Sequence, residues 1–289
     1  MVRARAALFA SALLVACSAQ TPPLSYGDVS PSPSPTHPSP GPTQTNGGSP
    51  QPSTSSRATV STEPGSDLDP TYPDGGNVGE MARTYLRASP AGRMIVEVDA
   101  VEGREPSKAV LDHLSTILRR ELDKPEGVSV RRGNTFAASS DRYTLEDIDR
   151  LERRHRANRS GGATATMWIV YLNGQLSGEP GTLGVAYRAS AAAIFADRIG
   201  QATTALVSRT AIERAVVTHE AGHLLALVNI GYTSPHDHED PAHPKHSNND
   251  ASVMYWAIED ISIANLLNGG PPSDFDQFDR DDLRLLREG

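Results

Sequence analysis

The chain has 289 residues, a net charge of -8 and a single cysteine. An acidic balance with no basic run excludes an electrostatic nucleic-acid partner, and one cysteine excludes an intramolecular disulfide.

Met1-Val2-Arg3-Ala4-Arg5 is a short basic start, and Ala6 to Ala16 is an apolar run of signal-peptide length, too short to span a bilayer. It ends Leu14-Val15-Ala16-Cys17, which resembles the bacterial lipobox. That resemblance implies an exported lipoprotein whose Cys17 is lipidated and becomes the mature N-terminus. The lipid anchors the chain to the membrane on its extracytoplasmic face. Residues 18–76 carry Pro31-Ser32-Pro33-Ser34-Pro35 and Pro38-Ser39-Pro40-Gly41-Pro42 and almost no apolar side chains. Such a stretch cannot bury enough surface to offset its ordering entropy, so it reads as a disordered, extended tether.

From Asn77 the composition changes, and 77–289 is long enough for one domain with a sizeable core. Glu80 to Ala88 reads as a short helix and Arg93 to Val98 as a strand. Pro106 opens a helix through Leu122, with Val110, Leu111, Leu114, Ile117 and Leu118 at helical spacing. Gly127 to Arg131 is a short strand. Thr144 and Asp147 have capping-box spacing at the start of a charged helix. Thr166 to Leu172 is apolar on both faces, the mark of a central strand. Leu183 to Arg188 and Ala192 to Phe195 read as two more strands. Strands alternating with helices predict an α/β (α+β) fold with a mixed sheet.

The next helix, beginning near Thr210, carries His219-Glu220-Ala221-Gly222-His223, an H-E-x-x-H motif. Positions i and i+4 share a helix face, so both imidazoles can aim at one point. That point suits Zn²⁺, which takes neutral histidine nitrogens and needs a third protein ligand plus a water. Glu220 follows the first histidine, and its carboxylate can take a proton from that water and pass it to a leaving group. Apolar residues nearly all round predict a buried helix, and Gly231 is expected to end it as a left-handed cap. A polar loop then offers His236, Asp237, His238, Glu239, Asp240, His243 and His246. For the third ligand His246, His243, Asp237, Asp240, Glu259 and Asn229 all stay open. His236 and His238 read as solvated loop residues.

His246 to Tyr255 resembles the end of a metzincin zinc site of the matrix-metalloproteinase branch. There the third His is followed by Ser, and a Met-turn methionine comes eight positions after that His. His246, Ser247 and Met254 stand in that register. The resemblance implies His246 as third ligand and Met254 as an apolar floor under the zinc. It implies a twisted mixed sheet with an antiparallel edge strand at Leu183 to Tyr187, a central active-site helix, and a closing helix at Phe278 to Leu286. It also implies a substrate pocket near Tyr255, Trp256 and Ile258, for which ordinary core stays open as the alternative. The sequence departs from the family pattern at Ala226, where a Gly is usual, and at Asn229, where the third His is usual. Ala226 is expected to let the helix continue.

The expected activity is that of a zinc-dependent metalloendopeptidase at the cell envelope, acting on a peptide or protein substrate with Glu220 as general base and acid. The alternative is a non-catalytic metal-binding or adhesive surface lipoprotein with a His-rich loop.

Overall fold

The computed structural model describes residues 74–263 and 270–289. The signal segment 1–17, Cys17 and the tether as far as residue 73 lie outside them. Packing reaches back to Asp74, whose buried carboxylate pairs with Arg156 at 3.2 Å.

Five strands form the main sheet: β1 (Arg93–Val101), β2 (Val128–Phe136), β4 (Thr164–Leu172), β6 (Gly184–Arg188) and β7 (Ala191–Phe195). Their order is β2-β1-β4-β7-β6. Three pairings are parallel, and only β6–β7 is antiparallel. The fold is therefore mixed α/β, with a mostly parallel sheet and one antiparallel edge. β4 sits in the middle, as its two apolar faces require. Met167, Ile169 and Tyr171 join one core, and Trp168, Val170 and Leu172 join the other. This alternation is the period of two of a strand covered on both faces.

Helices supply the covers. α2 (Lys108–Glu121) turns Val110, Leu114, Ile117 and Leu118 onto the first core, where it meets α5 (Arg209–Leu224). α3 (Leu145–His155) turns Ile148 and Leu151 onto the second. Its start is fixed by a capping box: Thr144 Oγ1 accepts from Asp147 N, and Asp147 Oδ2 accepts from Thr144 N. Shorter elements are α1 (Ala82–Leu86), α4 (Ala196–Ala202) and the strand pairs β3 (Arg142–Tyr143) with β5 (Gln175–Leu176) and β8 (Glu239–Asp240) with β9 (His243–Ser247). A 3-10 turn spans Trp256–Glu259, and α6 (Gln277–Glu288) closes the chain.

One expectation fails in an informative way. α5 stops at Leu224, well before Gly231, and Ala226 turns into the left-handed region at φ 66°. Leu227 N donates to Gly222 O and Ala226 N to His223 O, at 3.1 and 3.0 Å. These two bonds are a Schellman cap with Ala226 in the position where glycine is usual. Left-handed alanine costs roughly 1–2 kcal/mol. The turn it permits buries Leu225, Leu227 and Val228 completely. At about 1.5–3 kcal/mol per large apolar side chain, that burial outweighs the strain. So Ala226 ends the helix where the expectation had it continue.

Candidate metal centre

α5 is buried from Ala215 through Leu224, so His219, Glu220 and His223 sit inside the protein. Their Nε2 atoms are 3.0 Å apart for the two histidines, and the rings meet edge to face. The His219 Nδ1–H donates to Val253 O at 2.7 Å. A proton on Nδ1 leaves a lone pair on Nε2, directed to the centre.

The loop after α5 returns His246 to the same place. β8 and β9 pair antiparallel, with Glu239 opposite Ser247. Ser247 N donates to Met254 O at 2.8 Å, which fixes β9 against the Met254 segment. The His246 ring lies 5.2 and 5.1 Å from the His219 and His223 rings. Its Nδ1–H donates to Pro244 O at 3.1 Å, so Nε2 again keeps a lone pair, and that atom has no hydrogen-bond partner.

A fourth donor arrives from the 3-10 turn. Glu259 Oε1 is 3.2 Å from His219 Nε2 and 3.3 Å from His223 Nε2, and its Oε2 is 3.3 Å from His246 Nε2. Leu183 N donates to Glu259 O at 2.8 Å, so the edge strand helps to place it. One ligand atom from each of His219, His223, His246 and Glu259 lies within 4.8 Å of the others. Lone pairs and a carboxylate facing one another in a dry site repel unless a cation stands between them. Three imidazoles and a carboxylate are also the donor set zinc takes. Two of the three imidazoles have the outer N–H on a backbone carbonyl, as metal-binding histidines do. The residues fit a zinc ion.

Glu220 is the remaining ionisable group, and neither of its oxygens has a hydrogen-bond partner. Burial first, and then the negative Glu259, push its carboxyl well above the usual carboxylate range. Burial opposes the charge on Glu259 as well. There hydrogen bonds from His219, His223 and His246 outweigh it and hold the group well below that range, which requires a proton, or a cation in its place, between those nitrogens and the carboxylate.

Met254 lies against α5 at Gly222. A Cβ built on Gly222 would come 2.3 Å from Met254 Sδ, so the glycine lets the thioether reach the helix backbone beneath the histidines. Gly184 of β6 plays a similar part for Glu220: a Cβ there would meet Glu220 Oε1 at 2.5 Å. Sequence reasoning missed Gly184. The available signal was a glycine inside a strand, a common mark of close approach.

The other loop residues go elsewhere. His243 stacks on Trp256, with centroids 4.2 Å apart, and its Nδ1 meets Asp240 at 2.8 Å. Asn229 bonds Glu239. Ile258 is core, and Tyr255 is half-buried against it. His238, expected in solvent, is fully buried because α6 covers it: its Nε2 meets Asp282 at 3.1 Å.

A cleft of about 680 Å³ runs past the centre, lined by Val185, Ala186, His223, His246 and Glu259 among others. Val185 and Ala186 belong to β6, whose outer edge takes no strand partner among the described residues.

No family model and no curated protein matches the chain. Among solved structures it is similar to the archaemetzincin of Methanopyrus kandleri, at 15% identity and a TM-score of 0.48, covering 69% of this chain and 98% of that one. It is also similar to the archaemetzincin of Archaeoglobus fulgidus complexed with malonate, at 14% identity and a TM-score of 0.41, covering 65% of this chain and 99% of that one.

Proposed function

We propose that the chain is a zinc-dependent endopeptidase of metzincin-like architecture, tethered to the cell envelope by a lipid on Cys17 and acting on peptide or protein substrates. The observation that carries this reading is the convergence of three imidazole Nε2 atoms and Glu259 on one point, with the buried Glu220 carboxyl on the same helix and a cleft that reaches His223, His246 and Glu259. His219, His223 and His246 would hold the ion, and Met254 would floor it. The chemistry zinc supplies when held there is Lewis acidity, which lets water ionise near neutral pH and draws electron density from a carbonyl oxygen.

The protein's residues do the rest. An extended peptide can lie along the free edge of β6, with its backbone paired to the strand and its scissile bond over the histidines. Gly184 lets the Glu220 carboxyl come up to that strand. Burial makes Glu220 a stronger base than an exposed carboxylate, so it can take a proton from attacking water and return it to the leaving amine nitrogen.

Glu220→Gln keeps size and shape and loses the base. It should retain zinc and lose about 10²- to 10⁴-fold in turnover of a denatured protein substrate. Turnover equal to wild type would overturn the mechanism.

Glu259 favours a second reading. Four protein donors describe a closed metal site with no open corner, as structural zinc sites have. The chain would then be a metal-binding surface lipoprotein. A wild-type protein that holds one zinc and cleaves nothing would select this reading.

A further inference from the structure

We propose a second divalent-cation site, separate from the histidine centre, in which His238 Nδ1 and the carboxylates of Asp279 and Asp276 bind a zinc ion. One ligand atom from each of the three lies within 4.8 Å of the others. The site joins the loop before β8 to the start of α6.

The inference rests on the two atoms left without partners. His238 and Asp279 are both fully buried. His238 Nε2 is 3.1 Å from Asp282 Oδ2. Asp282 Oδ1 already accepts from Ser234 Oγ at 2.7 Å, so the carboxylate is fixed as the acceptor. The proton of a neutral His238 therefore sits on Nε2, and Nδ1 carries a lone pair. That lone pair faces Asp279 Oδ1 at 3.9 Å, and neither atom has a hydrogen-bond partner. Two acceptors aimed at each other in a dry interior call for a positive charge between them, a bound cation or a proton. The distance is too long for a direct hydrogen bond and fits two bonds to one ion.

The surroundings are those of a ligand set. A metal-binding histidine commonly gives its other ring N–H to a carboxylate, and Asp282 takes that role. Asp279 Oδ2 is held by Ser252 Oγ–H at 2.6 Å and by Asp276 N–H at 3.0 Å, which leaves Oδ1 aimed at His238. Asp276 is held by Asn249 Nδ2–H and by Asp279 N–H, at 2.7 and 2.9 Å. One imidazole with two carboxylates suits zinc better than the harder calcium or magnesium.

The site has a role in positioning. Ser252 Oγ, which donates to Asp279, also accepts from Met254 N at 2.8 Å. Asn248 N, two residues after His246, donates to His238 O at 2.8 Å. An ion here braces both Met254 and the strand that carries His246.

Metal analysis of the zinc-loaded, desalted full chain tests the proposal. Wild type should hold two zinc ions, and His219→Ala/His223→Ala should hold one. Adding His238→Ala to that double variant should remove the remaining ion, whereas adding His243→Ala should leave it. In the double variant zinc should still raise the melting temperature. One zinc in wild type, none in the double variant, or an ion that survives loss of His238 would each overturn the site and leave a trapped water in its place. If the His238 variant does not fold, a zinc titration of the double variant decides: no saturable site there sinks the proposal.

Discussion

Around Arg156, each buried carboxylate of the cluster meets a cation of the protein's own. Arg156 Nη1 donates to Glu152 at 2.8 Å, and Arg156 also pairs with Asp74. Arg188 Nε donates to Asp149 at 2.7 Å, and Tyr187 O–H to Glu152 at 2.7 Å. Around His219 the opposite holds. Three imidazoles face Glu259, Glu220 is unpaired, and no Lys or Arg comes in to balance them among the ion pairs of the described residues. Backbone strain is concentrated on the second side. Of the five non-glycine residues with positive φ among the described residues, four (Ala226, Val228, Asn229 and Lys245) lie between α5 and His246, and the fifth, Asp74, belongs to the Arg156 cluster. The first cluster is self-neutralising and fixes the fold. The second has no Lys or Arg of its own, and most of the strained backbone lies in the segment that assembles it.

Breaking the first cluster should have the largest effect. Arg156→Met takes the Arg156 cation from buried Asp74 and leaves Glu152 only the longer contacts to Arg159 and Arg188, at 3.4 and 3.8 Å, which should cost about 3–5 kcal/mol. Urea unfolding should show that loss equally with and without zinc. A loss that vanished on adding zinc would show that the two clusters are not independent.

Removing metal addresses the second cluster. With zinc at 100–1,000 times its dissociation constant, chelation should lower stability by about 2.7–4 kcal/mol, read as a fall in melting temperature that depends on zinc concentration. Acid should do the same. Burial opposes a proton on His246, but Glu259 more than offsets it and raises the group above the ordinary imidazole value. His223 is pushed down to about 4, by burial first. Binding needs the neutral rings, so zinc should leave as pH falls through the His246 range, before His223 itself protonates. Zinc retained undiminished at pH 5 would argue against His246 as a ligand.

Glu259→Ala sharpens the contrast further. If Glu259 fills the fourth position, its removal should weaken zinc by about tenfold, ~1.4 kcal/mol, and raise turnover by opening the corner to water. Complete loss of zinc would make Glu259 an essential ligand.

What could be read from the sequence separates along the same line. The strand Thr166 to Leu172, the Thr144–Asp147 capping box and the two histidines one turn apart are local patterns, and local patterns survive without tertiary knowledge. The closing of the site depends on distant partners. His238 is buried because Asp282, forty-four positions later, covers it. Glu259 and His246 stood as rivals for one place, but the 3-10 turn and the β8–β9 return bring both to it. Ala226 reads as a helix former by propensity, and the burial of Leu227 and Val228 overrides that preference.

The smallest effect follows from that residue. Ala226→Gly removes a left-handed alanine and should relieve roughly 1–2 kcal/mol of strain. The lost methyl is itself buried, and it packs toward Gly79, where a Cβ would come within 3.1 Å of it. Deleting it costs about 0.8 kcal/mol. The balance is a gain below about 1 kcal/mol, since glycine also enlarges the unfolded ensemble. Zinc affinity should not change, because the Schellman bonds that end α5 after His223 run through the backbone. A variant less stable than wild type would mean that the methyl contact with Gly79 outweighs the strain. The left-handed turn would then be a packing choice, and the metal side of the molecule would store less strain than its dihedral angles imply.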